Sequence, residues 1–177
     1  MKKAVITLLA LTFTAISTSA FAERVPLINQ NYLAHRPVPK YVYVQTVDSN
    51  YFQYTNGRFG MSGYVPSNFY LAYGPSNGDG ARFADGQGGS LTISGRHNIF
   101  SQTLSQLYHD ALEQYQPSYH AAGNNWFVVS YERNGYIYYS KTFVLSRFVK
   151  SLSYVYPASN RYHYEAYLPT IERTFRP

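Results

Sequence analysis

The chain contains no cysteine. That absence excludes disulfide bridges, thiolate metal sites, a lipid-modified N-terminal cysteine and a cysteine nucleophile. Acid is scarce: nine Asp and Glu stand against fifteen Lys and Arg, for a formal charge of +6. The basic residues are scattered rather than gathered into a run. The chain therefore lacks the clustered patch that a nucleic-acid partner requires. Long apolar runs are missing as well. The longest, Ala4 to Ile16 with threonines interspersed, falls short of the roughly 20 residues a spanning helix needs. No internal repeat and no low-complexity tract is present.

What is there begins with an address. Lys2 and Lys3 precede the apolar run, and Ala20-Phe21-Ala22 closes it as a small-x-small cleavage signal. Residues 1–22 read as a secretory signal peptide. Cleavage after Ala22 would leave 155 of the 177 residues and lower the charge by two, to +4. The expected location is the periplasm or the exterior, with no transmembrane segment in the mature chain. Residues 23–40, with three prolines and no periodicity, read as an extended leader. Residues 41–177 read as one domain. Without disulfides, its core must hold it. Aromatic residues make up 18% of the chain, with 20 tyrosines, and point to half-exposed sheet faces.

The order of elements follows from periodicity. Tyr41 to Val47 is a strand rich in β-branched and aromatic residues. Tyr51 to Val65 holds two more, broken at Asn56-Gly57, and Phe69 to Tyr73 follows. Ser90 to Ser94 alternates with period two, with Leu91 and Ile93 inward. Phe100, Leu104, Leu107, Tyr108, Ala111, Leu112 and Tyr115 recur at helical spacing, with Asn98 as a candidate cap and Pro117 beyond the end. Trp126 to Arg133, the turn Asn134-Gly135 and Tyr136 to Val144 predict a type I′ hairpin. Phe148 to Tyr156 returns as a third strand. Arg161 to Phe175 predicts a helix that Pro169 kinks or splits, with Asn160 as a candidate cap. Strands, helix, strands, helix give an α+β class: an antiparallel sheet covered by helices.

Several short motifs stand together over residues 51 to 177: Asn56-Gly57-Arg58-Phe59-Gly60, Asn77-Gly78-Asp79-Gly80-Ala81-Arg82-Phe83, Asp85-Gly86, Trp126-Phe127-Val128-Val129-Ser130, Tyr139-Ser140-Lys141, Tyr156-Pro157 and Thr174-Phe175-Arg176. In these the chain resembles a family of exported proteobacterial proteins. More distantly it resembles the PsbP-like and DcrB-like α/β/α sandwich, whose members are mostly binding or assembly proteins. The resemblance implies a fold and a compartment and brings no catalytic residues. Met61-Ser62-Gly63-Tyr64-Val65-Pro66 and Pro169 depart from the pattern.

The stretch Asn77 to Gly89, NGDGARFADGQGG, looks most like chemistry. A phosphate loop would need Gly-Lys-Ser/Thr opening a helix, and here the glycines lead toward a strand with no lysine. A calcium loop needs oxygen ligands at alternate positions, whereas Asp79 and Asp85 flank Arg82. Turn chemistry is the favoured reading, with a ligand contact through Asp79, Arg82 or Asp85 as the alternative and an Arg82–aspartate pair as a structural option. His35, His97, His109, His120 and His163 form no zinc-type spacing, although His109 and Glu113 share a helix face. No serine elbow is present, and no carboxylate pair lies in an obvious active-site context. No metal and no cofactor is expected. Tyr131, Tyr136, Tyr138 and Tyr154 fall at strand spacing. On an open face they would make an aromatic platform; under a helix they would be core.

The expected role is non-catalytic: a binding or assembly protein of the cell envelope, with an envelope protein or a glycan as partner. The alternatives are an immunity or inhibitor protein against an exported toxin or hydrolase, an envelope hydrolase, and a glycan-binding module.

Overall fold

A computed structural model of the chain describes residues 42–177. The expected signal peptide and leader lie outside the described residues. Three strands, β1 (Val42–Thr46), β2 (Tyr51–Asn56) and β3 (Met61–Pro66), make a small antiparallel sheet in chain order. Seven more follow: β4 (Tyr70–Tyr73), β5 (Gly80–Ala84), β6 (Ser90–His97), β7 (Tyr119–Ala122), β8 (Trp126–Arg133), β9 (Tyr136–Val144) and β10 (Phe148–Pro157). They form a second sheet in the order β4-β5-β6-β10-β9-β8-β7, antiparallel throughout. Helix α1 (Leu104–Tyr115) joins β6 to β7. After a 3₁₀ turn, Ala158–Asn160, the chain ends in two short helices, α2 (Arg161–Glu165) and α3 (Leu168–Thr174).

Register decides which side chains meet. Leu91 pairs with Tyr154, Ile93 with Leu152 and Tyr154 with Tyr139, so these residues share one face of the large sheet. The small sheet and the terminal helices close over that face. Phe83 meets Phe52 at 5.5 Å and Tyr54 at 5.4 Å between ring centroids, both edge-on. Tyr164, Ile171 and Phe175 complete the same core. Leu91, Ile93 and Leu152 lose all contact with solvent, each contributing about 1.5–3 kcal/mol by burial. On the opposite face α1 lays Ala111, with Leu107, Tyr108 and Leu112, over Phe127 and Val129. The fold is therefore layered: a helix, a seven-stranded sheet, and a layer shared by the small sheet and the terminal helices.

The expected α+β class holds, and so does the meander β8-β9-β10. Asn134 and Gly135 adopt φ of 53° and 75°, as a type I′ turn demands. Pro169 splits the last helix rather than kinking it. It falls in the first turn of α3, where its missing N–H costs nothing. Asn160 makes no side-chain cap bond.

Four local features differ from the sequence reading. The first helix starts at Leu104, because Thr103 and Gln106 form a reciprocal capping box: the Thr103 hydroxyl oxygen accepts the Gln106 N–H at 3.2 Å, and the Gln106 side chain accepts the Thr103 N–H at 2.8 Å. Asn98 instead staples a turn ahead of that helix, and Phe100 is left in solvent. The glycine-rich stretch Asn77 to Gly89 is not one loop, since β5 runs through it between two turns. Strand β7 has no counterpart in the sequence reading; four residues, YHAA, give too little periodicity.

Candidate functional site

Both aspartates of the glycine-rich stretch are occupied by the protein itself. Asp79 Oδ1 receives Arg58 Nη1 at 2.6 Å, and its Oδ2 receives the Asn77 amide at 2.6 Å. Arg58 also donates to the Asn77 carbonyl. Asp85 Oδ1 accepts the N–H groups of Gln87 at 2.8 Å and Gly89 at 2.9 Å, and its Oδ2 accepts the Tyr164 hydroxyl at 2.7 Å. The second turn is thereby tied to α2. Gly89 is required there, because a Cβ would stand 2.4 Å from the Tyr164 ring. Arg82 is exposed on the sheet face opposite Phe83, and no ion pair joins it to either aspartate among the described residues. The expected partner of an aspartate is Arg58 instead.

The four tyrosines do not form one row. Tyr131 and Tyr138 are directly paired across β8 and β9, and their rings stack at 4.9 Å. Tyr115 of α1 stacks on Tyr131 at 5.0 Å, so the helix covers that face of the ring. Burial, and then the Tyr115 hydroxyl, pushes the Tyr131 phenol upward. Tyr136 is 38% exposed beside the hairpin turn. Tyr154 pairs with Tyr139 and faces the other side of the sheet, fully buried. It cannot belong to an exposed platform: Tyr139 and Tyr138 are neighbours on one strand and point in opposite directions.

The histidines are dispersed. His109 Nδ1 donates to the Ser105 carbonyl at 2.7 Å, and His120 Nδ1 bonds the Tyr108 hydroxyl at 2.5 Å. His97 lies against Phe148, and His163 against Tyr164 and Tyr167. Among the described residues no three His, Asp or Glu side chains converge on one point.

A well-defined depression among the described residues lies elsewhere, between the β8-β9 hairpin and the terminal helices. It encloses about 440 Å³. Its sheet side presents Ser130, Glu132, Ile137 and Tyr139; its helix side presents Arg161, Glu165, Leu168 and Glu172. Tyr119 of β7, 57% exposed, stands at its rim. Sheet alternation aims Ser130 and Tyr139 inward, since they are direct partners across β8 and β9. Glu165, at the end of α2, and Glu172, on α3, reach the same groove from two successive helices.

Three carboxylates in one groove on a basic protein set its chemistry. Glu172 is held by Lys141 Nζ at 3.0 Å and Glu165 by Arg161 at 3.0 Å. Glu132 has no ion pair among the described residues. The phenols are proton donors. Burial, and then the Glu172 carboxylate, drives the Tyr139 hydroxyl far above the usual phenol range. Burial, and then Glu165, pushes Tyr156 up to about 12. The walls thus offer neutral hydroxyls and carboxylate oxygens. Ser118 Oγ donates to the Ser130 carbonyl at 3.3 Å, and no histidine lines the groove to activate either serine. The arrangement suits binding of an amine, a guanidinium or a polyhydroxylated ligand. The sequence reading passed over Glu132, Glu165 and Glu172. The i, i+7 spacing of the last two on the predicted helix was the available signal.

Comparison with known proteins bears on the architecture. The solution structure of cyanobacterial PsbP (CyanoP) from Synechocystis sp. PCC 6803 superposes with a TM-score of 0.54. It covers 73% of this chain and 93% of that one, at 9% sequence identity. The fold is PsbP-like. No protein-family model matches the chain, and no curated protein matches it significantly. At that identity the PsbP-like likeness concerns the fold alone.

Proposed function

We propose that the protein is an exported, non-catalytic binding or assembly protein of the bacterial cell envelope, and that its partner enters the groove between the β8-β9 hairpin and the terminal helices. One observation carries the reading: a groove of about 440 Å³ gathers three carboxylates and high-pKa tyrosines without a nucleophile–base pair. Export rests on the N-terminal signal pattern and on the resemblance to exported proteobacterial proteins. Among the described residues no helix is long and apolar enough to cross a membrane. Glu132, with no ion pair among the described residues and only a longer-range attraction to Arg161, fits a cationic group on the partner, such as a lysine or arginine of an envelope protein.

A photo-crosslinking residue at Tyr119 on the groove rim, compared with one at the exposed Glu113 on α1, tests this in cells. The expected outcome is one discrete adduct from the Tyr119 position, weakened by Glu132→Gln. Identical patterns from both positions would sink the proposal, and so would turnover of envelope glycans by the purified protein.

A further inference from the structure

A turn ahead of α1 carries an unusual tip. Ser101 donates its N–H to the Asn98 carbonyl at 3.1 Å, which puts Ile99 and Phe100 at the two central positions. Gly, Pro, Asn, Asp and Ser normally fill such positions. Here two large apolar side chains stand 75% and 78% exposed. They contribute nothing to the core and cost solubility, so the fold does not account for them.

The tip is held firmly. Asn98 is 7% exposed, and its Oδ1 accepts the Gln102 N–H at 2.9 Å. Its Nδ2 donates to the carbonyls of Gln102 at 3.0 Å and Leu145 at 3.3 Å. Its N–H donates to the Arg147 carbonyl at 2.8 Å. The tip is thus fixed to the β9-β10 turn.

That second turn supplies cations. The exposed Arg147 guanidinium lies 5.8 Å from the Phe148 ring centroid, and the Lys150 ammonium lies 5.7 Å from the same ring. Lys150 is only 6% exposed, and burial lowers its pKa. Exposed Arg96, at the end of β6, donates to Gln102 Oε1 at 2.9 Å. None of these three cations has an ion pair among the described residues. The carboxylate groove lies at the other end of the sheet, beside the Asn134-Gly135 turn.

We propose that the tip docks on the surface of an anionic phospholipid bilayer, with Ile99 and Phe100 entering the headgroup–acyl boundary and the exposed Arg147 and Arg96 facing lipid phosphates, while Lys150 stays buried beneath the turn. A bilayer presents an anionic layer above an apolar one. An apolar knob flanked by two exposed arginines that have no ion pair among the described residues matches that order. A protein partner would instead need a pocket shaped to the knob. The proposal is independent of the groove and adds a second contact to the reading above.

The protein, purified as the cell processes it, is sedimented with phosphatidylglycerol–phosphatidylethanolamine vesicles and with phosphatidylcholine vesicles. Binding to the anionic vesicles alone is expected. An Ile99→Ser/Phe100→Ser double variant should weaken it by about tenfold or more, because it removes both inserted side chains. Arg147→Gln should weaken it by about fivefold, one juxtamembrane charge. Both substitutions lie at exposed positions, so the melting temperature should stay put and show that the fold is intact. A Phe100→Trp variant should shift its emission to the blue on anionic vesicles. Equal binding to both vesicle types, no binding, or indifference to the double variant would overturn the proposal. Loss of a crosslinked protein partner in the double variant, without vesicle binding, would also overturn it and assign the tip to a protein.

Discussion

Raising the pH should unfold this protein in a single steep step near pH 11. Five tyrosines, Tyr54, Tyr139, Tyr154, Tyr156 and Tyr164, are at most 5% exposed. All five phenols are pushed up, chiefly by burial: Tyr54 and Tyr156 to about 12, the other three further. In the unfolded chain they ionise near 10.0. A group whose folded pKa is raised gives stability that is complete below the unfolded value and is lost as pH climbs toward the folded one. At pH 11 each phenol has forfeited about 1.4 kcal/mol, so the five together forfeit about 7 kcal/mol. That is comparable to the whole stability of an ordinary domain, about 5–15 kcal/mol. Lys150 opposes the trend, because its lowered pKa makes stability rise with pH below 10.5, but it is one group against five. The assay follows tyrosinate absorbance near 295 nm together with near-ultraviolet circular dichroism. An early, gradual rise in absorbance should leave the dichroism unchanged. A second, cooperative rise in absorbance should then coincide with collapse of the dichroism signal. A smooth titration of all 20 tyrosines by pH 11 with the dichroism intact would refute the reasoning.

Three further outcomes follow from the contacts. Tyr164→Phe keeps the ring and removes only the hydroxyl given to Asp85, so urea unfolding should show a loss of about 1.5–3 kcal/mol, and the loss should vanish in an Asp85→Ala background. Thr103→Ala breaks the capping box and should cost about 1 kcal/mol in thermal melts, whereas Asn98→Ala should leave the helix start intact and loosen the turn that holds Ile99 and Phe100. Leu152→Ala, at the centre of β10, should cost about 2–5 kcal/mol, and a value under 1 kcal/mol would mean the site collapses around the deletion.

The sequence was most legible where a local rule acts alone. Asn134-Gly135 has one good backbone solution, and the alternation at Leu91 and Ile93 has one good burial. Pro169 could only interrupt the last helix. Legibility failed where two local signals competed. Asn98 and Thr103 can both cap, and Phe100 is in phase with the apolar stripe of α1. The Thr103–Gln106 box won because it satisfies two orphan N–H groups at once. Tyr154 was misplaced for a different reason. Strand membership is local, but the face a residue points to depends on register with β9. The groove was only half legible: the seven-residue spacing of Glu165 and Glu172 hinted at a shared face, but Glu132 sits on a distant strand and the other two lie on two different helices. Only tertiary folding brings them together.

The position of β10 governs when this architecture can exist at all. Being the last strand made yet lying between β6 and β9, it joins two half-sheets that have no direct pairing with each other. Until Phe148–Pro157 is available, β6 and β9 each keep an open edge, and the core around Leu152 and Tyr154 has no centre. Long-range pairing of this kind folds slowly, on scales of milliseconds to seconds. A chain released progressively from its N-terminus would stay loose until residues 148–157 had emerged, close to its end. The topology thus acts as a timer, delaying closure until nearly the whole chain is free to pair.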